Sequence, residues 1–255
     1  MHKRSELVRL FLAEQRDPEP FYRRLAGDAV ARLPFPVSGA RVLDLGCGPG
    51  HYTRALRSAG ATVLDLGCGP GHYTRALRGA GAVVLPIDLD PEEFGLPGGP
   101  PGGEVAGSGG AIPLATGSLD GVLCSNMLEH TPDSDAVISE IERVVRPGGW
   151  IWLSWTNWYS PWGGHDISPW HYLGPRLGLA AYERVRHRHP KNEPGVSLFP
   201  VHVGRTLHEL KHRPGVRVVE AVPRYYPSQR WILRVPALRE VATWNCLVVL
   251  ERTAA

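Results

Sequence analysis

Two glycine-rich segments have the composition of a loop that holds a ligand against the start of a helix. Residues 42–57 recur without change as residues 63–78. Each copy is a short apolar run, then Asp-Leu-Gly-Cys-Gly-Pro-Gly, then a sequence typical of a helix. Glycine allows the backbone to approach a ligand closely, and a helix N-terminus offers free N–H groups and a partial positive charge. Each copy therefore predicts a binding loop that follows a buried strand.

The glycine spacing argues against a nicotinamide dinucleotide as the ligand. A dinucleotide loop has the pattern G-x-G-x-x-G, whose third glycine packs the helix against the strand. In the second copy the glycines fall at positions 67, 69 and 71, and the place of the third glycine is taken by His72. The first copy has the same departure at His51. A nicotinamide-dependent dehydrogenase is therefore disfavoured.

The loop instead resembles motif I of class I S-adenosylmethionine-dependent methyltransferases. Residues 112–114, 117–120, 125–130 and 146–149 resemble further stretches of that family, so the likeness covers roughly residues 40 to 156. It implies that the loop holds the amino-acid end of S-adenosylmethionine and that Asp88, at the end of the next predicted strand, takes both ribose hydroxyls. Ser108 stands where the family often has an adenine-binding aspartate, so its hydroxyl or a backbone carbonyl would meet the adenine. The cofactor-binding residues implied are Asp65, Gly67, Cys68, Gly69, Asp88, Ser108, Gly109 and Asn126.

Only one copy of the loop can occupy the cofactor position, so the duplication adds no second site. The second copy is favoured because its short link to the following strand keeps Asp88 in register. The first copy, with Asp44, Gly46 and Gly48, is the alternative.

Residues 155–199, which follow the predicted fifth strand, contain the candidates for the substrate side. Ligands of open α/β sheets bind beyond the carboxyl ends of the strands, where this segment should lie. His165 and His171 are the candidate catalytic residues, because a histidine can take a proton from an acceptor hydroxyl near neutral pH. A structural role is the more common one for a single histidine of this kind, and Glu129 and His130 are expected to line the site. The clustered Trp and Tyr side chains either belong to the core or suit an aromatic or lipid-like acceptor.

The pattern of elements predicts an α/β protein with the Rossmann-like class I methyltransferase fold. Strands alternate with helices, which favours a mostly parallel seven-stranded sheet with helices on both faces. The last two strands, 216–222 and 245–251, are expected to form an antiparallel hairpin. We predict a helical cap at residues 1–36 and a single domain at 37–255. That domain contains the duplication (42–62 and 63–83) and a substrate-side insertion at about 155–200.

Composition limits the partners and the location. The net charge of +3 is spread without a basic stripe, so no nucleic-acid partner is predicted, and no apolar run is long enough for stable membrane insertion. The four cysteines form no C-x-x-C pair, so we expect a reducing cytoplasm and no metal site.

The substrate-side segment and both flanks resemble an uncharacterised group of actinobacterial methyltransferases, on residues 155–199, 15–18, 21–22 and 223–227. The resemblance predicts an enzyme that transfers a methyl group from S-adenosylmethionine to a small-molecule or lipid-like acceptor. The alternative is a non-catalytic binding or scaffold protein of the same fold, impaired by the duplicated motif.

Overall fold

A computed structural model describes residues 9–10, 18–33, 35–45, 51–66, 86–88 and 105–254. The glycines of both predicted loops, with Cys68, lie outside the described residues. The chain forms two compact units, Met1–Cys124 with Ser139–Ile151 and Ser125–Ile138 with Trp152–Ala255. Neither unit begins at residue 37, and the boundaries given above for the cap and the single domain stay a prediction.

The first unit alternates helices with short strands. Its elements are α1 (Pro18–Arg32), β1 (Arg41–Leu45), α2 (His51–Ser58), β2 (Thr62–Leu66), β3 (Pro86–Asp88), β4 (Val105–Ala106) and β5 (Leu119–Ser125) as far as Cys124. It also contains α3 (Ser134–Val144) from Ser139 onward and β6 (Val145–Thr156) as far as Ile151. Its first five strands lie in the order β4-β3-β2-β1-β5, and every pair among them is parallel.

Both copies of the duplicated segment form strands, and the two strands pair with each other. Val42 lies opposite Val63 and Leu45 opposite Leu66, so the copies are aligned residue for residue. The expectation of seven strands is therefore wrong, and the described residues contain eight. The physical reason is that the surplus copy carries the same apolar run and pairs along the edge of its twin, as any parallel strand would. In β1, the side chains of Val42, Leu43 and Leu45 are completely buried.

A close contact between a glycine and a tryptophan fixes how β5 packs in the first unit. A Cβ on Gly121 would lie 2.2 Å from the Trp150 ring, whereas a Cβ on Gly27 in α1 would have no atom within 4 Å. Trp150 is itself buried, so its ring has little room to move.

We expect Gly121→Ala to lower the free energy of unfolding by about 1–3 kcal/mol, because it overpacks this contact. The matched control Gly27→Ala should stabilise the chain by up to about 1 kcal/mol, because alanine favours a helix over glycine. Urea unfolding monitored by tryptophan fluorescence measures both changes. Equal unfolding midpoints for the two variants would contradict this account of the packing.

The second unit contains the rest of α3 and β6 followed by the C-terminal part of the chain. Its elements are α4 (Pro175–Arg186), α5 (Val203–His212), β7 (Val216–Pro223), α6 (Pro236–Ala242) and β8 (Asn245–Arg252), with 3-10 helices at Leu128–His130, His165–Ile167, Trp170–Leu173 and Pro227–Arg234. Strand β8 lies between β6 and β7.

Strands β7 and β8 pair in antiparallel fashion from Val216 opposite Arg252 to Pro223 opposite Cys246. They are not joined by a tight hairpin turn, because residues 224–244, which contain a 3-10 helix and α6, connect them. None of the helices in the described part of the chain combines the length and apolar composition needed to cross a membrane.

Candidate active site

The carboxyl ends of the parallel strands in the first unit lie level with one another. Leu45, the last residue of β1, is opposite both Leu66 of β2 and Cys124 of β5. Leu66 is in turn opposite Ile87, and Asp88 is the last residue of β3. The segments that follow β1 and β2 contain the two glycine loops. Each loop therefore starts from the same edge of the sheet as Asp88.

Further residues of the predicted site follow neighbouring strands at this edge. Asp88 ends β3 directly beside β2, and Ser108 and Gly109 follow β4, the strand that pairs with β3. Ser108 forms a tight turn in which its carbonyl accepts a hydrogen bond from the Ala111 N–H at 3.0 Å. Asp88 is expected at the ribose and Ser108 at the adenine, and these two positions follow adjacent strands.

Asn126, in the second unit, is held in a polar network around a buried arginine. Its φ angle of +55° is unusual for a residue other than glycine. Its side-chain oxygen accepts a hydrogen bond from Asn245 Nδ2 at 2.8 Å, and its N–H donates to the Ser154 carbonyl at 2.8 Å. Arg224 is only 4 % exposed, and its Nη1 donates to the hydroxyls of Ser154 and Ser125 at 2.9 Å and 3.0 Å. The network holds Asn126 in its strained conformation.

Glu129, His130 and His165 form a polar cluster in the second unit, and we call it the EHH cluster. One potential ligand atom from each side chain lies within 4.8 Å of the other two. The imidazole rings of His130 and His165 meet edge to face with their centroids 5.0 Å apart. Glu129 and His130 belong to the 3-10 helix that follows β5, whereas His165 begins another 3-10 helix. The fold therefore joins residues far apart in the sequence.

Two glycines position His165. A Cβ on Gly163 would lie 1.8 Å from the Trp158 carbonyl oxygen, and one on Gly164 would lie 2.5 Å from the His171 ring. The chain can therefore make this tight approach only with glycine at both positions. His165 itself has a φ angle of +50°. Strained residues of this kind are concentrated at functional sites.

The surroundings of His165 favour its neutral form. Burial is the main cause that lowers its pKa from the ordinary value of 6.5, and the nearby His130 lowers it further. The Glu129 carboxylate, a hydrogen bond with the Gly163 backbone and Asp166 oppose this shift without reversing it. The imidazole of His165 is therefore unprotonated near neutral pH and has a lone pair available.

His171 is completely buried, unlike His165. Its Nε2 lies 3.2 Å from the Ser160 carbonyl oxygen, and its ring packs edge to face on Trp158. Burial is the main cause that lowers the pKa of His171, so this side chain is also neutral. It packs behind Gly164, and it has no surface that an acceptor molecule could touch.

The aromatic residues of the segment fall into two groups. Trp155 and Trp158 are buried and belong to the core, whereas Tyr159 and Tyr172 are 43 % and 49 % exposed. The Tyr172 hydroxyl donates to the Tyr159 carbonyl at 3.2 Å. Trp155 and Trp158 therefore support the fold, and Tyr159 and Tyr172 are exposed aromatic side chains that a ligand could contact.

Comparison with known proteins identifies the family. A model of the methyltransferase domain matches residues 64–153, a match that begins in the second copy of the duplicated segment. An uncharacterised methyltransferase of Mycobacterium tuberculosis is 38 % identical over 265 residues, which cover 98 % of this chain and 94 % of that protein. One from Mycobacterium ulcerans is 39 % identical over 259 residues, covering 96 % and 92 %. The chain belongs to this methyltransferase family.

Solved structures agree with the methyltransferase fold. An S-adenosylmethionine-dependent methyltransferase from Mesorhizobium loti is similar with a TM-score of 0.54 and 23 % identity, over 88 % of this chain and 96 % of that one. Geranyl diphosphate methyltransferase in complex with its cofactor has a TM-score of 0.52 and 16 % identity, over 97 % and 90 %. These likenesses confirm the Rossmann-like class I methyltransferase fold.

Sequence reasoning missed two features of this methyltransferase site. Glu129 and His130 were expected to line the site, but nothing in the sequence brings them to His165. Arg224 lies in the stretch 223–227 that resembles the actinobacterial group, and the sequence pattern does not predict its contacts with Ser125 and Ser154. A signal for the arginine exists, because a lone charged residue between an apolar strand and two tyrosines is unusual in a core.

Proposed function

We propose that this methyltransferase transfers a methyl group from S-adenosylmethionine to a small-molecule or lipid-like acceptor. The observation that supports this best is the EHH cluster, which places a neutral histidine beside a buried carboxylate in the segment expected to face the substrate. The scaffold alternative has no support from the relatives, which are named methyltransferases and match this chain over 94 % and 92 % of their length.

The cofactor is assigned to the first unit. The second-copy residues Asp65, Gly67, Cys68 and Gly69 would hold its amino-acid end, Asp88 the ribose, and Ser108 and Gly109 the adenine. When bound, S-adenosylmethionine supplies the methyl group that is attached to its positively charged sulfur. The rest of the cofactor leaves as S-adenosylhomocysteine. Asn126 stays a predicted cofactor residue, and within the second unit its side-chain oxygen accepts a hydrogen bond from Asn245.

The sheet topology favours the second copy. Strand β2 pairs directly with β3, so the second loop and Asp88 follow neighbouring strands. Strand β1 is separated from β3 by β2, which adds one strand spacing of about 4.8 Å. The first copy has the compensating feature that β1 pairs with β5. Because the ribose follows directly on the amino-acid end of the cofactor, proximity to Asp88 favours the second copy.

The acceptor is assigned to the second unit, with His165 as the catalytic residue. His165 is partly exposed and its imidazole is neutral, so it can accept the proton that an acceptor hydroxyl loses as its oxygen bonds to the methyl carbon. The Glu129 carboxylate stabilises the imidazolium that results. His171, which is buried against the Gly164 turn, is proposed as a positioning residue that keeps His165 in place.

Transfer of a tritium-labelled methyl group tests this assignment. The chain is incubated with labelled S-adenosylmethionine and either a lipid extract or a polar small-molecule extract of an actinobacterium. We expect His165→Ala to lower the rate of labelling by about 100-fold, since a general base contributes at least that much, while cofactor binding stays unchanged.

The control for this experiment is His189→Ala. His189 lies on the surface, where it contacts Glu183 and Glu193, so its removal should leave labelling intact. If His165→Ala transfers the label as fast as the unsubstituted chain does, His165 is not the group that accepts the proton. Labelling of neither extract would contradict the proposed class of acceptor.

A further inference from the structure

One oxygen of the EHH cluster has no partner among the residues that the structure describes. Glu129 is 1 % exposed, and its Oε1 accepts a hydrogen bond from the Thr156 N–H at 2.8 Å. Its Oε2 is buried and has no hydrogen-bond partner within the described ranges. A buried carboxylate oxygen without a partner is costly, so a group that it can bind is expected beside it.

Each of the two histidines has a ring nitrogen available as a metal ligand. His130 Nδ1 lies 2.8 Å from the Ser197 carbonyl oxygen, so this nitrogen must carry the hydrogen and donate it. In the neutral ring Nε2 then has the lone pair. A hydrogen bond from one ring nitrogen to a carbonyl is the usual way in which a metal-binding histidine is oriented. His165 Nδ1 is buried and has no partner in the described part of the chain.

The distances suit a shared cation. Ligand atoms about 2.1 Å from one metal ion in tetrahedral geometry are about 3.4 Å apart. The three ligand atoms of the EHH cluster lie within 4.8 Å of one another, so each pair has to close by no more than about 1.4 Å, a movement that two side chains share.

We propose that Glu129, His130 and His165 bind a divalent transition-metal cation. Two imidazoles and one carboxylate favour Zn²⁺, Fe²⁺, Mn²⁺ or Co²⁺, whereas Mg²⁺ and Ca²⁺ prefer oxygen ligands alone. Three protein ligands leave coordination positions open, as catalytic metal sites do. The open positions fit an acceptor that carries a hydroxyl or carboxylate oxygen.

This proposal rests on the proposed function for the location of the acceptor and changes the role of His165. With the ion bound, His165 would be a ligand, and the proton that the acceptor hydroxyl loses would pass to solvent water instead of to this imidazole. The acceptor is then held and polarised by the ion, which narrows the substrate class to molecules with a coordinating oxygen.

Titration with Co²⁺ tests the site without any need for the acceptor. The chain without a histidine tag should bind one equivalent and develop the visible absorption of Co²⁺ in a nitrogen and oxygen site. We expect His165→Ala and Glu129→Gln each to weaken binding by at least about 100-fold, more than the loss of a supporting contact would. Circular dichroism checks that each variant folds. If Glu129→Gln fails to fold, His165→Ala still tests the site, because His165 is partly exposed and its replacement should leave the fold intact.

Two surface groups provide matched controls. His189 with Glu183 and Glu193 offers a histidine and two carboxylates on the surface, and His208 and His212 offer two rings 4.2 Å apart on α5. His189→Ala and His208→Ala should leave the absorption unchanged. Absence of the absorption, or its loss in a surface variant but not in His165→Ala, would overturn the proposal.

Cofactor binding is measured on the same sample, so a chain that binds S-adenosylmethionine but no Co²⁺ contradicts the metal site alone. A chain that binds Co²⁺ but no cofactor contradicts only the proposed function.

Discussion

Asp88→Ala is expected to weaken the binding of S-adenosylmethionine by about 100-fold. The substitution removes a carboxylate that would accept hydrogen bonds from both ribose hydroxyls, and hydrogen bonds to charged groups contribute about 1.5–3 kcal/mol each. A loss of about 3 kcal/mol corresponds to about 100-fold in the dissociation constant. Isothermal titration calorimetry of the full chain measures the change.

The control for Asp88 is an acidic residue far from any proposed ligand. Glu209 forms an exposed ion pair with Arg205 on α5, and Glu209→Ala should bind the cofactor as the unchanged chain does. Equal affinities for Asp88→Ala and Glu209→Ala would show that Asp88 does not contact the ribose. The assignment of β3 as the ribose strand would then be wrong.

A bulky side chain in only one of the two glycine loops is expected to abolish cofactor binding. Valine in place of Gly69 should prevent the backbone of the second loop from approaching the cofactor, because the side chain fills the space that glycine leaves. The same change in the first copy, Gly48→Val, should reduce affinity by less than about 3-fold, within the variation typical of a site away from the ligand. Calorimetry and circular dichroism on the two variants measure binding and folding together.

The copy-specific variants are needed because deletion does not distinguish the copies. Removing residues 42–62 or residues 63–83 leaves nearly the same chain, which differs only in Ser58 or Gly79 and in Thr62 or Val83. If Gly48→Val abolishes binding and Gly69→Val preserves it, the first copy is the binding loop. The pairing of β1 with β5 would then matter more than the pairing of β2 with β3.

Most of the strands and helices could be predicted because their patterns are local. The apolar run at 121–125 predicts a strand, and the pattern at 134–145 predicts an amphipathic helix. Both of these elements and the two late strands appear close to the predicted positions. The eighth strand could not be predicted. Two identical segments have identical propensities, and only the pairing of Val42 with Val63 shows that the surplus copy enters the sheet.

The candidate site was predictable in its residue types and not in its arrangement. Two consecutive glycines before His165 are a sequence sign of a close backbone approach, and the structure shows what they approach, the Trp158 carbonyl and the His171 ring. The proximity of Glu129 to His165 depends on two 3-10 helices and on a φ angle of +50°, none of which has a sequence pattern of its own. For the same reason the sequence could not separate the buried His171 from the accessible His165.

Calorimetric titration of the unchanged full chain with S-adenosylmethionine tests the central claim, that a duplicated loop serves a single working cofactor site. We expect one equivalent of cofactor to bind with a dissociation constant in the micromolar range, typical of enzyme ligands. Absence of binding, or binding of two equivalents, would contradict the claim.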